Sequence, residues 1–245
     1  MPTGPLFKLR TVRCRSWRCV EHQATIATKN LVAGNLRDHD ILEGLLEDSK
    51  PAIPDDAKHL HWLAATPFRY FRAYESRFGP KGRRGVWYGA AKEDVALREF
   101  TYHRQQFFAA YDGDKPHTLT VSLIQANLAS NKALDLSGAA FNRRRKRIED
   151  PEHYGECHRI AEKALAQGVE LIVYNSARTP PSSSNRTCHA VIHPAGFGSP
   201  SIRNSAARTV SITLSDGVVR ASFDATRRFI EFTANSLNWQ ENRED

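Results

Sequence analysis

The stretch Glu75-Ser-Arg77-Phe-Gly-Pro-Lys-Gly-Arg-Arg-Gly85-Val-Trp-Tyr88-Gly-Ala-Ala-Lys-Glu-Asp-Val-Ala-Leu-Arg-Glu99-Phe-Thr-Tyr-His103-Arg decides how the chain is read. Gly79, Pro80, Gly82 and Gly85 mark a basic turn, Val86 to Tyr88 reads as a short strand, and Lys92 to Ala110 reads as a helix. Glu93 and Asp94 favour its start because acidic groups suit the positive end of a helix dipole. Glu99 and His103, four residues apart, share one face of it. A polar cluster drawn from a loop, a strand end and a helix is more typical of a site than of a core.

Upstream, Thr66-Pro67-Phe-Arg69-Tyr-Phe-Arg72 reads as extended, because Pro67 disfavours the helical region for its predecessor and aromatic residues favour strands. Before it lies a Pro-rich connection, Lys50 to Asp56. An amphipathic helix precedes that, with Ile41, Leu42, Leu45 and Leu46 at helical spacing and Asp38 or Asp40 as its N-cap. Residues 1 to 35 alternate basic and aliphatic side chains with little periodicity, and Val20 to Ala27 reads as only loosely ordered.

Downstream, His117 to Ile124 alternates strictly, with Leu119, Val121 and Leu123 on one face and Thr118, Thr120 and Ser122 on the other, which predicts a half-exposed strand. Lys132 to Leu136 suggests a further short one. Glu156 to Gln167 has helical composition with Gly168 as C-cap. Val169 to Tyr174 is an apolar strand ending in Asn175-Ser176-Ala-Arg178, and Cys188 to His193 is short and strand-like. Val210 to Leu214, Asp216-Gly217 and Val218 to Phe223 carry the signature of a β-hairpin. The tail from Ala225 is open to helix or strand. Short strands mixed with a few helices predict an α+β fold. The expected organisation is an N-terminal extension, 1–60, holding one amphipathic helix, and a catalytic domain, 61–245, that includes the C-terminal hairpin.

With 245 residues and 40% hydrophobic content, the chain can bury a core without external staples. No apolar run approaches the ~20 residues that span a bilayer, and the first residues lack a signal-peptide segment, so a soluble cytoplasmic protein is expected. Cys14, Cys19, Cys157 and Cys188 have no CxxC spacing, which fits free thiols in a reducing compartment. A formal charge of +8 favours polyanionic partners, whether nucleic acid, acidic protein or a dinucleotide pyrophosphate.

Arg77 offers a planar cation for bidentate phosphate contact, and Tyr88 a ring that stacks on a heteroaromatic group. Glu99 suits stabilisation of developing positive charge, and Ser176 lies where strand-end site residues are found. Together they suit binding a dinucleotide and cleaving a glycosidic bond through an oxocarbenium-like transition state. Each alone also has a plainer reading: Arg77 a solvated loop charge, Tyr88 a core or rim aromatic, Glu99 a surface partner of His103 or Arg98, Ser176 a turn former. A hydrolase built on Ser176, His103 and Glu99 lacks a G-x-S-x-G elbow. His103, His153, His158 and His189 show no zinc spacing, and neither a Walker loop nor a GxGxxG is present. The run Asn142 to Arg147 reads first as a solvated loop and second as a nucleic-acid contact.

Taken in order, Pro67-Phe-Arg-Tyr70, Ser76-Arg77-Phe-Gly, Gly85-Val-Trp-Tyr88-Gly-Ala-Ala, Ala96-Leu-Arg-Glu99-Phe-Thr-Tyr-His-Arg104 and Ile172-Val-Tyr-Asn-Ser176-Ala-Arg178 resemble the RES-domain family, named for its Arg, Glu and Ser motifs. The resemblance covers roughly residues 60 to 195. It implies a fold similar to ADP-ribosyltransferase toxins, degradation of NAD by hydrolysis or phosphorolysis of the nicotinamide–ribose bond, and restraint by an Xre-type helix-turn-helix antitoxin. It makes NAD a substrate and implies no cofactor or metal. Carried over by motif, Arg77 grips the NAD phosphates or ribose, Tyr88 packs on nicotinamide, Glu99 stabilises the ribosyl cation or its nucleophile, and Ser176 completes the pocket. Arg69 matches an upstream arginine position, while Arg178 and His103 join the substrate side, His103 as a neighbour that orients the carboxylate. The loop from Arg77 to Tyr88 is one residue longer than the family's usual spacing, with Arg72, Arg83 and Arg84 nearby, and Asn175 stands where proline is common. ADP-ribosyl transfer to a macromolecule is the alternative within the fold.

Overall fold

The computed structural model describes residues 6–21, 35–71, 73–111, 117–215, 218–223 and 228–233. It is a mixed α+β structure dominated by one large mixed sheet, whose strands are β1 (Arg10–Glu21), β2 (Trp87–Ala90), β3 (His117–Asp135), β4 (Leu171–Asn175), β5 (Thr187–Val191), β6 (Phe197–Ser215), β7 (Val218–Phe223) and β8 (Arg228–Thr233). The helices are α1 (Leu36–Asp48), α2 (Trp62–Arg69), α3 (Glu93–Tyr111), the single turn α4 (Arg145–Ile148) and α5 (Gly155–Ala166).

Strand β3 is the spine. Its predicted alternation holds at Val121 and Leu123, both fully buried, while Thr118 and Thr120 are exposed. The expected short strand at Lys132 is its continuation. β3 pairs antiparallel with β1 and β6 and parallel with β4. The sheet order is β1-β2-β5-β4-β3-β6-β7-β8, and because β1 also pairs with β3, strands β1, β2, β5, β4 and β3 close into a hydrogen-bonded circuit.

Two apolar clusters lie on the two faces. One gathers Val95, Leu97 and Tyr102 of α3 and Cys157, Ile160 and Ala164 of α5 against Leu123, Ile172 and Ala190. The other gathers Ala64, Ala65 and Phe68 of α2 with Trp87, Ile124, Leu171 and Val191. Alternation along β2 therefore sends Trp87 to the α2 face and Tyr88 to the α3–α5 face.

Several expectations are corrected. Thr66 to Arg69 is helical rather than extended. His61 Nδ1 caps the helix by accepting from Leu63 N at 3.2 Å, Thr66 Oγ1 donates to Trp62 O at 2.7 Å, and burial of Ala64, Ala65 and Phe68 outweighs the local preference set by Pro67. Pro67 lies inside the helix, in its last turn, where it has no N–H to donate to the Leu63 carbonyl. The Pro67 carbonyl is approached so closely by Gly85 that a Cβ there would lie 2.1 Å away. Arg72 lies outside the described residues.

The stretch 10–21, which shows little periodicity in the sequence, forms a twelve-residue strand inside the sheet. Ser16 and Cys19 are buried while Arg13 and Arg15 are exposed, so one half of the strand covers one face and the other half both faces, which blurs the period. Residues 22–27 lie outside the described ones. Helix α1 is capped by Asn35, whose Oδ1 accepts from Arg37 N at 3.0 Å, rather than by Asp38 or Asp40. β6 and β7 pair as the predicted hairpin, with Ser215 opposite Val218; the Asp216-Gly217 turn lies outside the described residues. The tail from Ala225 supplies β8. Gly168, with φ +75°, follows α5 in the left-handed region.

A second polar cluster is built across the circuit. Gly89 has no side chain, so Ser16 of β1 reaches over β2 to His189 of β5, with Oγ 2.9 Å from Nδ1; Cys14 Sγ stands 3.4 Å from Nε2.

Candidate active site

Ser76 and Gly79 exchange backbone hydrogen bonds at 2.8 and 3.0 Å, so Arg77 and Phe78 form the tip of a tight turn. The Tyr88 hydroxyl accepts from Phe78 N at 2.9 Å and lies 2.9 Å from Ser76 Oγ, which fixes the turn to the end of β2. His158 of α5 binds Ser76 O at 2.9 Å from the other side. Arg77 is thereby carried inward: it is buried, donates Nη1–H to Ile148 O at 2.7 Å and lies over the Tyr154 ring at 4.9 Å.

Glu99 projects from α3 toward the end of β4, where Ser176 Oγ donates to Glu99 Oε1 at 2.5 Å. Arg178 N in turn donates to Ser176 Oγ at 3.0 Å. An N–H, a hydroxyl and a carboxylate are thus aligned in series, and each donor polarises the next. Ser176 is completely buried and Glu99 half-buried. Burial draws the Arg77 pKa down, but the Glu99 carboxylate, seconded by Cys157, Tyr174 and Tyr154, more than offsets it, so the net shift is upward and the guanidinium stays charged. Cys188 and Tyr174, beneath the pair, are pushed well above their ordinary values by burial and then by neighbouring charges including Glu99, so both stay neutral.

The geometry brings Arg77, Tyr88, Glu99 and Ser176 into one cluster. Arg178 flanks it with its guanidinium 3.4 Å from the Tyr102 ring centre, bonded through Nη2 to Pro151 O and to Tyr154 Oη at 3.3 Å. Its Nε and Nη1 are buried with no hydrogen-bond partner among the described residues, as is Thr179 Oγ1. Two residues stand apart. His103 is exposed and meets Tyr102 edge-on at 5.4 Å. Arg69 is turned to the other layer, donating to Pro51 O at 2.6 Å and to Glu47 Oε1 at 2.7 Å, where it ties α1 to α2. Arg84 is likewise engaged, with Asp56.

The residues that reading the sequence missed are Tyr102, Tyr154, Tyr174 and Cys188, which wall the cluster. None belongs to a periodic pattern that would mark it. The basic run is partly absorbed into the fold: Arg144 pairs with Glu156 at 2.5 Å, and Arg145 binds Ser137 O at 2.8 Å and Glu149 at 3.3 Å. Among the described residues no three His, Cys, Asp or Glu side chains are grouped to hold a metal ion, and no helix is long and apolar enough to cross a membrane.

A buried serine hydroxyl bonded to a carboxylate, with a guanidinium within charge reach and aromatic walls, is an arrangement chemically able to stabilise positive charge that develops beside it. Residues 53–215 match the RES domain family, and the chain belongs to that family. Strand β1 lies outside the matched residues although it completes the circuit that holds β2. No curated protein matches the chain. Among solved structures it is similar to a chain of the M. tuberculosis MbcT-MbcA toxin-antitoxin complex, with 10% identity, a TM-score of 0.46, and coverage of 84% of this chain and 87% of that one.

Proposed function

We propose that the chain cleaves NAD at the nicotinamide–ribose bond and is the toxin of a toxin–antitoxin pair. The observation that carries this reading is the 2.5 Å bond from Ser176 Oγ to Glu99 Oε1, formed beside Arg77 in a RES domain. Nicotinamide leaves with the electron pair of the C–N bond, and the ribosyl carbon becomes cationic. Glu99 is oriented by Ser176 to stabilise that cation, and Tyr88 packs on the departing ring. Arg77, whose guanidinium stays charged beside Glu99, supplies the grip on phosphate or ribose that the family resemblance implies. Arg178, whose Nε and Nη1 have no hydrogen-bond partner among the described residues, serves the substrate's oxygens. Water adds at the ribosyl carbon and releases a proton, giving ADP-ribose; phosphate adds in its place in phosphorolysis. No cofactor or metal is required.

On this reading the fold is of the ADP-ribosyltransferase-toxin kind, the enzyme works in the cytoplasm, and its restraining partner is an Xre-type antitoxin. The test is to incubate purified protein with NAD and follow free nicotinamide, with and without phosphate. Release under either condition is expected. Release under neither overturns the proposal.

A further inference from the structure

We infer that Glu149 is a positioning residue that holds the two halves of this site in register, a proposal that rests on the NAD-cleaving reading above. The turn Ile148-Glu149 touches both halves. Ile148 O accepts from Arg77 Nη1 at 2.7 Å, on the half built from the 76–79 turn. Glu149, one residue on, reaches the other half: its Oε1 accepts from Asn175 Nδ2 at 2.8 Å and its Oε2 pairs with Arg186 at 2.8 Å. Asn175 immediately precedes Ser176. Arg186 also brackets that serine, accepting from Ser176 N through its own carbonyl at 2.7 Å and donating Nη1–H to Ser176 O at 3.3 Å.

The turn is itself anchored. Arg145, one helical turn before Glu149, pairs with it at 3.3 Å and ties to Ser137 O, Gly138 O and Asn142. Both Glu149 and Arg186 are largely withdrawn from solvent, with 15% and 16% side-chain exposure, so the ion pair is screened less than a surface pair. Asn175 therefore takes its place for a reason the sequence does not state: a side-chain amide there donates to the carboxylate that sets the serine. Within the basic run that leads into this turn, Arg145 works inward, as the anchor of a brace.

The isosteric Glu149→Gln removes the charge while leaving the Ile148 carbonyl that holds Arg77. With NAD as substrate, kcat should fall by roughly 10- to 100-fold, the scale set by a misplaced catalytic group, with KM within about threefold of wild type. The double variant Glu149→Gln/Asn175→Asp, which reverses donor and acceptor and restores the lost negative charge to the cluster, should recover at least part of the loss. A second readout does not depend on turnover: exchange of the Arg178 amide, which donates to Ser176 Oγ, should quicken by about tenfold or more in Glu149→Gln. Unchanged kcat in a folded Glu149→Gln variant, a fall in kcat without recovery in the double variant, or unchanged Arg178 exchange overturns the brace. If wild type releases no nicotinamide, the NAD reading fails, and exchange alone decides the brace.

Discussion

Ser176 and Ser16 each bond to a titratable side chain from a distant part of the chain, and the two pairs have opposite surroundings. Ser176 meets Glu99 at a strand end, beside Arg77, under a half-buried carboxylate. Ser16 meets His189 in mid-sheet, over Gly89, where His189 is 3% exposed. Burial, with a lesser push from Arg10, drives the His189 pKa down to about 4, so its imidazole is neutral at pH 7. The first pair sets a half-buried carboxylate at a strand end; the second holds a neutral imidazole inside the sheet. The contrast teaches that a serine–histidine contact is not by itself a nucleophile, because a base that cannot be reached has no substrate proton to take.

Exchanging each titratable group breaks the comparison most directly. Glu99→Gln should lower nicotinamide release by about 10²- to 10³-fold with the melting temperature little changed, as for loss of one preorganised electrostatic contact, whereas His189→Gln should leave release by the folded protein unchanged. Comparable losses in both would mean that the site has been placed on the wrong face.

A smaller effect separates the pairs by acid titration. The unfolded chain binds a proton at His189 near pH 6.5 and the native state only near pH 4, so stability is fully present above 6.5 and falls as pH drops toward 4. The loss is of the order of 3 kcal/mol across that window. Urea midpoints measured along it should slope for wild type and flatten for His189→Gln. Smallest is Gly89→Ala, whose Cβ would lie 2.6 Å from both Ser16 Oγ and the Trp87 ring; overpacking should cost about 1–3 kcal/mol in urea unfolding, and no cost would show that the strands yield freely there.

Much of the fold is readable from pattern alone. The alternation of Leu119, Val121 and Leu123, the helical composition of Lys92 to Ala110 and the Asp-Gly signal all lead to elements that form. β1 escapes because it changes from one buried face to two along its length: the face that Arg13 and Arg15 leave exposed is covered at Trp17 and Cys19, so the alternation ends halfway. α2 escapes because burial of Phe68 against Phe197 and Trp87's layer outweighs a proline's local preference. For the candidate site, Arg77, Tyr88, Glu99 and Ser176 were marked only by their order, since each has a common plainer role. The aromatic wall and the Glu149 brace were not legible, because contacts between residues such as Ser176 and Glu99, 77 positions apart, leave no spacing in one sequence. Arg69 shows the reverse: a motif position whose guanidinium is spent on Glu47 and Pro51 O.

The closed circuit also sets when the site can exist. β2 carries Tyr88 yet is only four residues long, and its neighbours are β1, through Trp17 and Ala90, and β5, through pairs as far along as Trp87 with Val191. Contacts of such sequence separation form late, because loop closure costs entropy before the contacts stabilise anything. A chain emerging from the ribosome therefore carries Arg77, Tyr88 and Glu99 for roughly a hundred residues of synthesis without the strand that aligns them, and the pocket arises only once the region around His189 has been made.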